Sequence, residues 1–173
     1  MATVVNKRGH VLNGILLAIG LGYVLDPSGD VSTFLLIAEL LPPVVLGALF
    51  PDVDTAFGKH RKTLHNLPVL AGFLAYPFFF DNLAFVWVGI ATHYVLDVVG
   101  SRRGIALFYP FPEEFGLPIG VTVTSNYAEA VTVFITLVEL GLLAVVHLFV
   151  FDLVEMTFRP AVASRLPEIA GLL

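Results

Sequence analysis

Apolar residues fall into five blocks separated by short polar breaks: about His10 to Leu25, Val31 to Phe50, Leu67 to Phe80, Asn82 to Gly100 and Glu129 to Phe151. A helix that crosses a bilayer needs about 20 apolar residues, within a range of roughly 17–25. All five blocks meet or approach that length. They predict an all-α, polytopic membrane bundle of about five transmembrane helices, forming a single domain over residues 1–151. The second block carries Glu39 and the pair Pro42-Pro43, which lack N–H donors and predict a kink. The third is the shortest; Pro68 suits its first turn and Pro77 a distorted exit. The run Tyr76-Pro-Phe-Phe-Phe80 reads as an interfacial aromatic belt.

The breaks differ in kind. Asp26 to Asp30 and Asp81-Asn82 are turns, whereas Asp52 to Asn66 is a polar loop. Ser101 to Tyr127 is too long for a turn and too rich in Gly, Pro and aromatics for a linker, so a re-entrant or surface loop is expected after the fourth span. In residues 152–173, Arg159, Arg165 and Glu168 alternate with apolar positions and predict an amphipathic tail at the interface. Lys7 and Arg8 ahead of the first block imitate a signal peptide. No small-residue cleavage site follows, so a retained first helix is expected.

Composition agrees with the pattern: 57% of the 173 residues are hydrophobic and 13% are charged, about half the charge of a soluble domain. A net charge of −5 with nine Lys and Arg excludes a nucleic-acid binder. The absence of Cys removes disulfides, thiolate metal sites and cysteine nucleophiles, leaving His, Asp and Glu for any metal chemistry.

With five spans, the N-terminus, the 52–66 loop and the 101–127 loop share one face. Lys7, Arg8, Lys59, Arg61, Lys62, Arg102 and Arg103 all lie there, so the positive-inside rule makes that face, and the N-terminus, cytoplasmic in a cell or inner membrane. The potential ligands gather at the same face. His10 begins the first span, Asp52 and Asp54 leave the second, His60 and His65 precede the third, and His93 and Asp97 end the fourth. His93 and Asp97 are i and i+4 and share a helix face. His60 and His65 are five apart and need a turn into the third span, which Asn66 and Pro68 favour. Imidazole with carboxylate suits Zn²⁺ best and also Mn²⁺ or Fe²⁺, with Mg²⁺ a further choice; seven donors are enough for one or two ions. Arg61 stands beside them as a partner for an anionic group. Glu39 and Glu139 lie deeper, and His147 near the far end of the fifth span reads as structural.

The motifs His10, Gly47-Ala-Leu-Phe-Pro-Asp-Val-Asp54, His60-Arg-Lys-Thr-Leu-His65, His93-Tyr-Val-Leu-Asp97 and Gly104-Ile-Ala-Leu-Phe-Tyr-Pro-Phe111 together resemble the YdjM-like family of inner-membrane, metal-dependent hydrolases, some bacterial members of which are described as LexA-regulated. The resemblance covers about residues 10–111. It implies His10, Asp52, Asp54, His60, His65, His93 and Asp97 as metal or catalytic residues and Arg61 as a substrate contact. Asn66 stands where the family often has Ser, so no hydroxyl role carries over. His93-x-x-x-Asp97 also occurs in membrane lipid phosphatases of the type-2 phosphatidate phosphatase family, but the Ser-Gly-His motif they pair it with is absent.

The expectation is therefore a hydrolase whose divalent ion activates water against an ester, with Asp54 as general base and Arg61 holding an anionic group. A site at the membrane surface points to a lipid or amphiphilic phosphoester as substrate. The rival reading is a non-enzymatic metal-binding membrane protein or a metal-ion transporter, with Glu39 and Glu139 extending a path inward.

Overall fold

In the computed structural model, residues 7–80, 83–101, 103–117, 120–122 and 125–150 are described. They form five helices: α1 (Lys7–Leu25), α2 (Val31–Leu49), α3 (Leu67–Phe80), α4 (Val86–Val95) and α5 (Ala128–Val145). Two helices run on into the wider register of a π-helix, α4 through Leu96–Gly100 and α5 through Val146–Val150. The expected tail over 152–173, the Asp81-Asn82 turn and Arg102 lie outside the described residues. Among the described residues the only extended pairing is a single bridge between Ile105 and Phe115.

The helix boundaries follow from local chemistry. Asp30 caps α2 by accepting the Ser32 N–H at 2.8 Å, and the tight turn before it uses Gly29 at φ +71°. Asn66 caps α3 by accepting the Val69 N–H at 3.1 Å. Pro42 and Pro43 sit inside α2, which continues through both to Leu49. Pro51 then opens a 3-10 turn over Pro51–Ala56, the element that carries Asp52 and Asp54.

Helices α1, α2, α4 and α5 pack together, while α3 leans on α4 and on Phe50, whose ring meets Phe73 edge-on at 4.8 Å. The apolar core lies away from the polar loops, where Leu17 and Leu21 of α1 meet Leu40 and Val44 of α2 and Val88 of α4. Helices α2 and α4 approach backbone to backbone: a Cβ on Gly47 would run into the Val86 carbonyl, and one on Gly89 into the Val44 carbonyl. Small residues at such crossings are how helices pack closely without a hydrophobic drive between them.

Three helices are long and apolar enough to cross a bilayer: α1, α2 with its 3-10 extension (Val31–Ala56), and α5 with its π-helical end (Ala128–Phe149). The third and fourth blocks are shorter, Leu67–Phe80 with 14 residues and the α4 unit over Val86–Gly100. The reason is local. Leu83 and Phe85 take left-handed backbone angles (φ 56° and 67°), so the helix starts only at Val86 rather than near Asn82.

The stretch after α4 folds back over its end. Leu117 N–H donates to the Val98 carbonyl at 2.8 Å and Val121 N–H to the Gly100 carbonyl at 3.1 Å, satisfying acceptors that a helix C-terminus leaves open. Ala106 N–H donates to Arg61 O at 2.9 Å and Leu67 N–H to Leu107 O at 2.8 Å, tying this loop to the 57–66 loop.

Candidate metal centre

The fold brings His10, Asp52, Asp54, His60, His65, His93 and Asp97 to one end of the bundle. All are buried except His60, which is partly so. His10 comes from the first turns of α1, Asp52 and Asp54 from the 3-10 turn, and His93 from the last turn of α4. Asp97 stands in the π-helical turn that follows, a departure from α-geometry that often marks a functional site. His60 and His65 come from the irregular loop before α3. Arg61 between them adopts the left-handed region (φ 65°), the tight reversal that lets two histidines five residues apart face the same centre. Tyr94 locks the loop, its hydroxyl donating to Leu64 O at 2.6 Å and accepting the Asn66 N–H at 3.1 Å.

Each central histidine has one ring nitrogen committed to an acceptor. His93 Nδ1–H donates to the Ala48 carbonyl at 2.6 Å, and His65 Nδ1–H donates to Asp54 Oδ2 at 3.0 Å. Nε2 is then the free atom of each ring, and the two Nε2 atoms point at each other 3.1 Å apart. Two imidazole lone pairs at that distance need a proton or a cation between them. Carboxylates surround the pair: His65 Nε2 lies 3.5 Å from Asp97 Oδ2 and 4.0 Å from Asp52 Oδ1. His93 Nε2 lies 3.7 Å and 3.8 Å from the same two atoms. A tetrahedral ion bonded at about 2.0–2.2 Å has donor–donor edges of about 3.3–3.6 Å. The five distances bracket that value, so the Nε2 atoms of His65 and His93 lie close enough to each other and to both Asp52 Oδ1 and Asp97 Oδ2 to share an ion with them.

Unsatisfied atoms mark the same place. Both oxygens of Asp52, Oδ2 of Asp97, Nδ1 of His10 and Nε2 of His60 are buried without a hydrogen-bond partner. Buried polar atoms are nearly always paired, and a concentration of unpaired His and Asp atoms in one cluster is what a cation site presents. Two donor triads can be drawn here, His10 with His93 and Asp97, and Asp52 with His60 and His65. They meet where His65 faces His93. The His10 ring stacks on the His93 ring at 3.8 Å, with an interplanar angle of 13°. The residues present therefore fit a divalent ion, and buried His/Asp groups able to hold one are a property of this fold.

Asp54 is placed differently. It is fully buried, and its two oxygens accept from His60 Nδ1 at 3.1 Å, His65 Nδ1 at 3.0 Å and the Leu64 N–H at 3.3 Å. It orients rings instead of facing the centre, the arrangement by which a carboxylate fixes the tautomer of a ligating histidine. Burial pulls the His65 imidazole down to about 4 despite the opposing pull of Asp54, so the ring is neutral, as ligation requires.

Arg61 is buried and already engaged, donating to Asp97 Oδ1 at 3.1 Å, Ser101 Oγ at 3.0 Å and Arg103 O at 2.6 Å. It balances the Asp97 charge and pins the returning loop. Beside it opens a recess of about 60 Å³ lined by His10, Arg61, Leu96, Asp97, Ser101 and Thr132.

A second polar layer lies one turn deeper. Asn13 Nδ2 donates to Thr136 Oγ1 at 2.9 Å and to Glu139 Oε2 at 2.8 Å. Thr92 Oγ1 lies 2.7 Å from Asn13 Oδ1 and 2.6 Å from Glu139 Oε2. This network joins α1, α4 and α5 directly beneath His10 and His93. It engages Oε2 of Glu139, while Oε1 stays buried without a partner, and Glu39 is exposed. His147 lies in the π-helical end of α5 and belongs to neither donor triad. Sequence reasoning missed Asn13, Thr92 and Thr136; the available signal was Asn13 three residues after His10 and Thr92 next to His93. The Ala48 carbonyl left no signal, because any residue there would supply it.

Among curated proteins and among solved structures nothing matches the chain. A family model described as the YdjM inner membrane protein matches residues 5–159, nearly the whole length, and three of the helices are apolar and long enough to span a bilayer. The chain belongs to the YdjM family of inner membrane proteins.

Proposed function

We propose that the protein is a multi-pass, metal-dependent hydrolase, acting on an ester at the cytoplasmic membrane face where its N-terminus also lies. The observation that carries this reading is the facing pair of His65 and His93 Nε2 atoms, 3.1 Å apart, flanked by the unpartnered oxygens of Asp52 and Asp97. Asp52, His65, His93 and Asp97 would hold the ion. Zn²⁺ suits two imidazoles and two carboxylates best, with Mn²⁺, Fe²⁺ or Mg²⁺ as alternatives. When bound, the ion supplies Lewis acidity for a water and an ester oxygen.

The chain's own residues do the rest. Asp54 and the Ala48 carbonyl hold the two rings with Nε2 inward. The base role expected for Asp54 passes to His10, which lines the recess and has Nδ1 unpartnered, so that it takes the proton of the attacking water. Arg61, on the wall of the same recess, meets an anionic group with the N–H donors that Asp97, Ser101 and Arg103 leave open. An anionic ester held at a membrane surface is most simply a phosphoester of a lipid or other amphiphile.

The test is hydrolysis of a panel of lipid phosphoesters by detergent-purified protein, before and after chelation and re-addition of Zn²⁺. Turnover that falls on chelation, returns with Zn²⁺ and is lost in His65→Ala and Asp97→Ala supports the proposal. Turnover indifferent to both substitutions would sink it.

A further inference from the structure

Helices α4 and α5 each pack on α1 more than on each other, and a groove of about 180 Å³ opens between them. Its walls are apolar, with Leu17 of α1 behind, Trp87, Ala91 and Val95 on α4, and Leu142 and Leu143 on α5. Val95 and Leu142 are exposed, so the groove is open to the lipid. It continues the recess beside the metal centre. On α5, Ala128 and Thr132 line the recess and Glu139 and Leu142 the groove; with Ile135 between, they are the i, i+4, i+7, i+11 and i+14 positions of one helix face. On α4, Val88 and Thr92 line the groove, and Leu96 and Gly100 carry the same row into the recess. Thr92 adjoins His93 in the chain, so the groove begins at the level of the metal donors. Among the described residues, two buried side-chain atoms outside the metal centre lack a hydrogen-bond partner, Trp87 Nε1 and Glu139 Oε1, and both belong to residues lining this groove. One is a donor; the other is the oxygen left over because Asn13 and Thr92 both bond to Oε2. Bare hydrocarbon answers neither.

We propose that the groove seats the hydrocarbon chain of the ester substrate while its phosphate lies in the recess, so that the substrate is a single-chain glycerol phosphoester entering sideways from the bilayer. This rests on the hydrolase reading of the metal centre. The order of groups along a monoacylglycerol phosphate is phosphate, hydroxyl, ester carbonyl, chain. The order along the seam matches it: Arg61 and the metal donors, then Glu139 beside Thr92, then Trp87 further from the metal end, then the apolar walls. The lipid's hydroxyl donates to Glu139 Oε1, and its carbonyl accepts from Trp87 Nε1–H. At about 180 Å³ the groove is smaller than the roughly 300–1,000 Å³ that a whole drug-sized ligand fills, and it suits one chain better than two.

Trp87 is the only tryptophan of the chain, so its fluorescence reports on the groove without background. The probe is a monoacylglycerol phosphonate, which the enzyme cannot hydrolyse, with bromines midway along its chain to quench Trp87 on contact. Added to Zn²⁺-loaded protein in detergent, it should quench Trp87 saturably and be displaced by the unbrominated phosphonate, but not by glycerol 3-phosphate or by phosphatidylcholine. Ala91→Phe, which fills the groove, should raise the half-saturating concentration at least tenfold, whereas Val133→Phe, exposed on α5 away from the groove, should leave it unchanged. Brominated phosphatidylcholine quenching Trp87 as well as the phosphonate does would overturn the proposal, leaving ordinary bilayer lipid in the groove; so would half-saturation indifferent to Ala91→Phe. The two readings fail separately. Saturable quenching in a protein that hydrolyses no phosphoester supports the lipid site and sinks the hydrolase, whereas phosphoester hydrolysis without saturable quenching sinks the groove alone.

Discussion

Asp52 and Asp54 are two residues apart on one 3-10 turn, yet the structure gives them opposite environments, and substituting each by Asn separates them. Asp54 accepts hydrogen bonds from His60, His65 and Leu64, whereas neither oxygen of Asp52 has a partner. Asp54→Asn leaves one acceptor oxygen where two ring N–H groups need one each. Either ring then loses its partner or turns its tautomer and presents a protonated Nε2. Loss of such an orienting carboxylate costs about 10–100-fold in metal affinity, about 1.4–2.8 kcal/mol. Asp52→Asn removes a ligand oxygen and should cost more. Metal-free stability moves the other way. Asp52→Asn relieves a buried carboxylate that nothing satisfies and should raise it by about 1–3 kcal/mol, whereas Asp54→Asn strands buried N–H donors and should lower it by a similar amount. Zn²⁺ titration calorimetry in detergent gives the first pair of values, and thermal melts of chelated protein followed by Trp87 fluorescence give the second. Apo protein stabilised by Asp54→Asn and destabilised by Asp52→Asn would refute the assignment of the two roles.

Arg61→Met should destabilise the protein by about 3–5 kcal/mol, since it leaves the Asp97 carboxylate buried without its guanidinium 3.1 Å away; denaturant unfolding of the detergent-held protein measures it. Gly89→Ala should lower both melting temperature and Zn²⁺ affinity, because the added methyl pushes α4 off Val44 and Ala48 and draws His93 away from the Ala48 carbonyl; a variant with unchanged affinity would contradict the backbone-approach argument. Thr92→Val should cost about 1–3 kcal/mol by stranding Asn13 and Glu139, with the metal still bound. For pH, His65 titrates at about 4 in the fold and near 6.5 when unfolded, so below about 6.5 the unfolded chain takes up a proton that the fold refuses. Metal-free protein should therefore lose stability as pH falls from about 6.5 to about 4, and His65→Gln should remove part of that slope in melts taken across the window.

Much of the bundle is written in the chain because apolar block length and hydrogen-bond demand in a bilayer leave few options. The blocks around α1, α2 and α5 gave helices close to their expected ends, and the Gly/Pro-rich stretch after Gly100 folds back as its composition implies. The late start of α4 was not legible, since nothing in Leu83 or Phe85 announces a left-handed backbone. In the centre, the gathering of His10, Asp52, His60, His65, His93 and Asp97 followed from their shared end of the spans. What spacing does not reveal is which atom of a side chain faces the centre. Asp54 has the composition of a ligand and the geometry of an orienting group, a distinction that rests on two Nδ1 contacts. The Ala48 carbonyl and the Asn13–Thr92–Glu139 layer arise from helix packing across more than 40 residues, which a reading of local pattern does not reach.

The central claim is that Asp52, His65, His93 and Asp97 form one metal-binding centre. Elemental analysis by mass spectrometry of the purified chain and its His65→Ala and His93→Ala variants tests it most directly. The account predicts at least one tightly held divalent ion per wild-type chain, retained through dialysis, and its loss from both variants that still fold. Wild-type protein that holds no ion after Zn²⁺ loading, or folded variants that keep the wild-type stoichiometry, would contradict it.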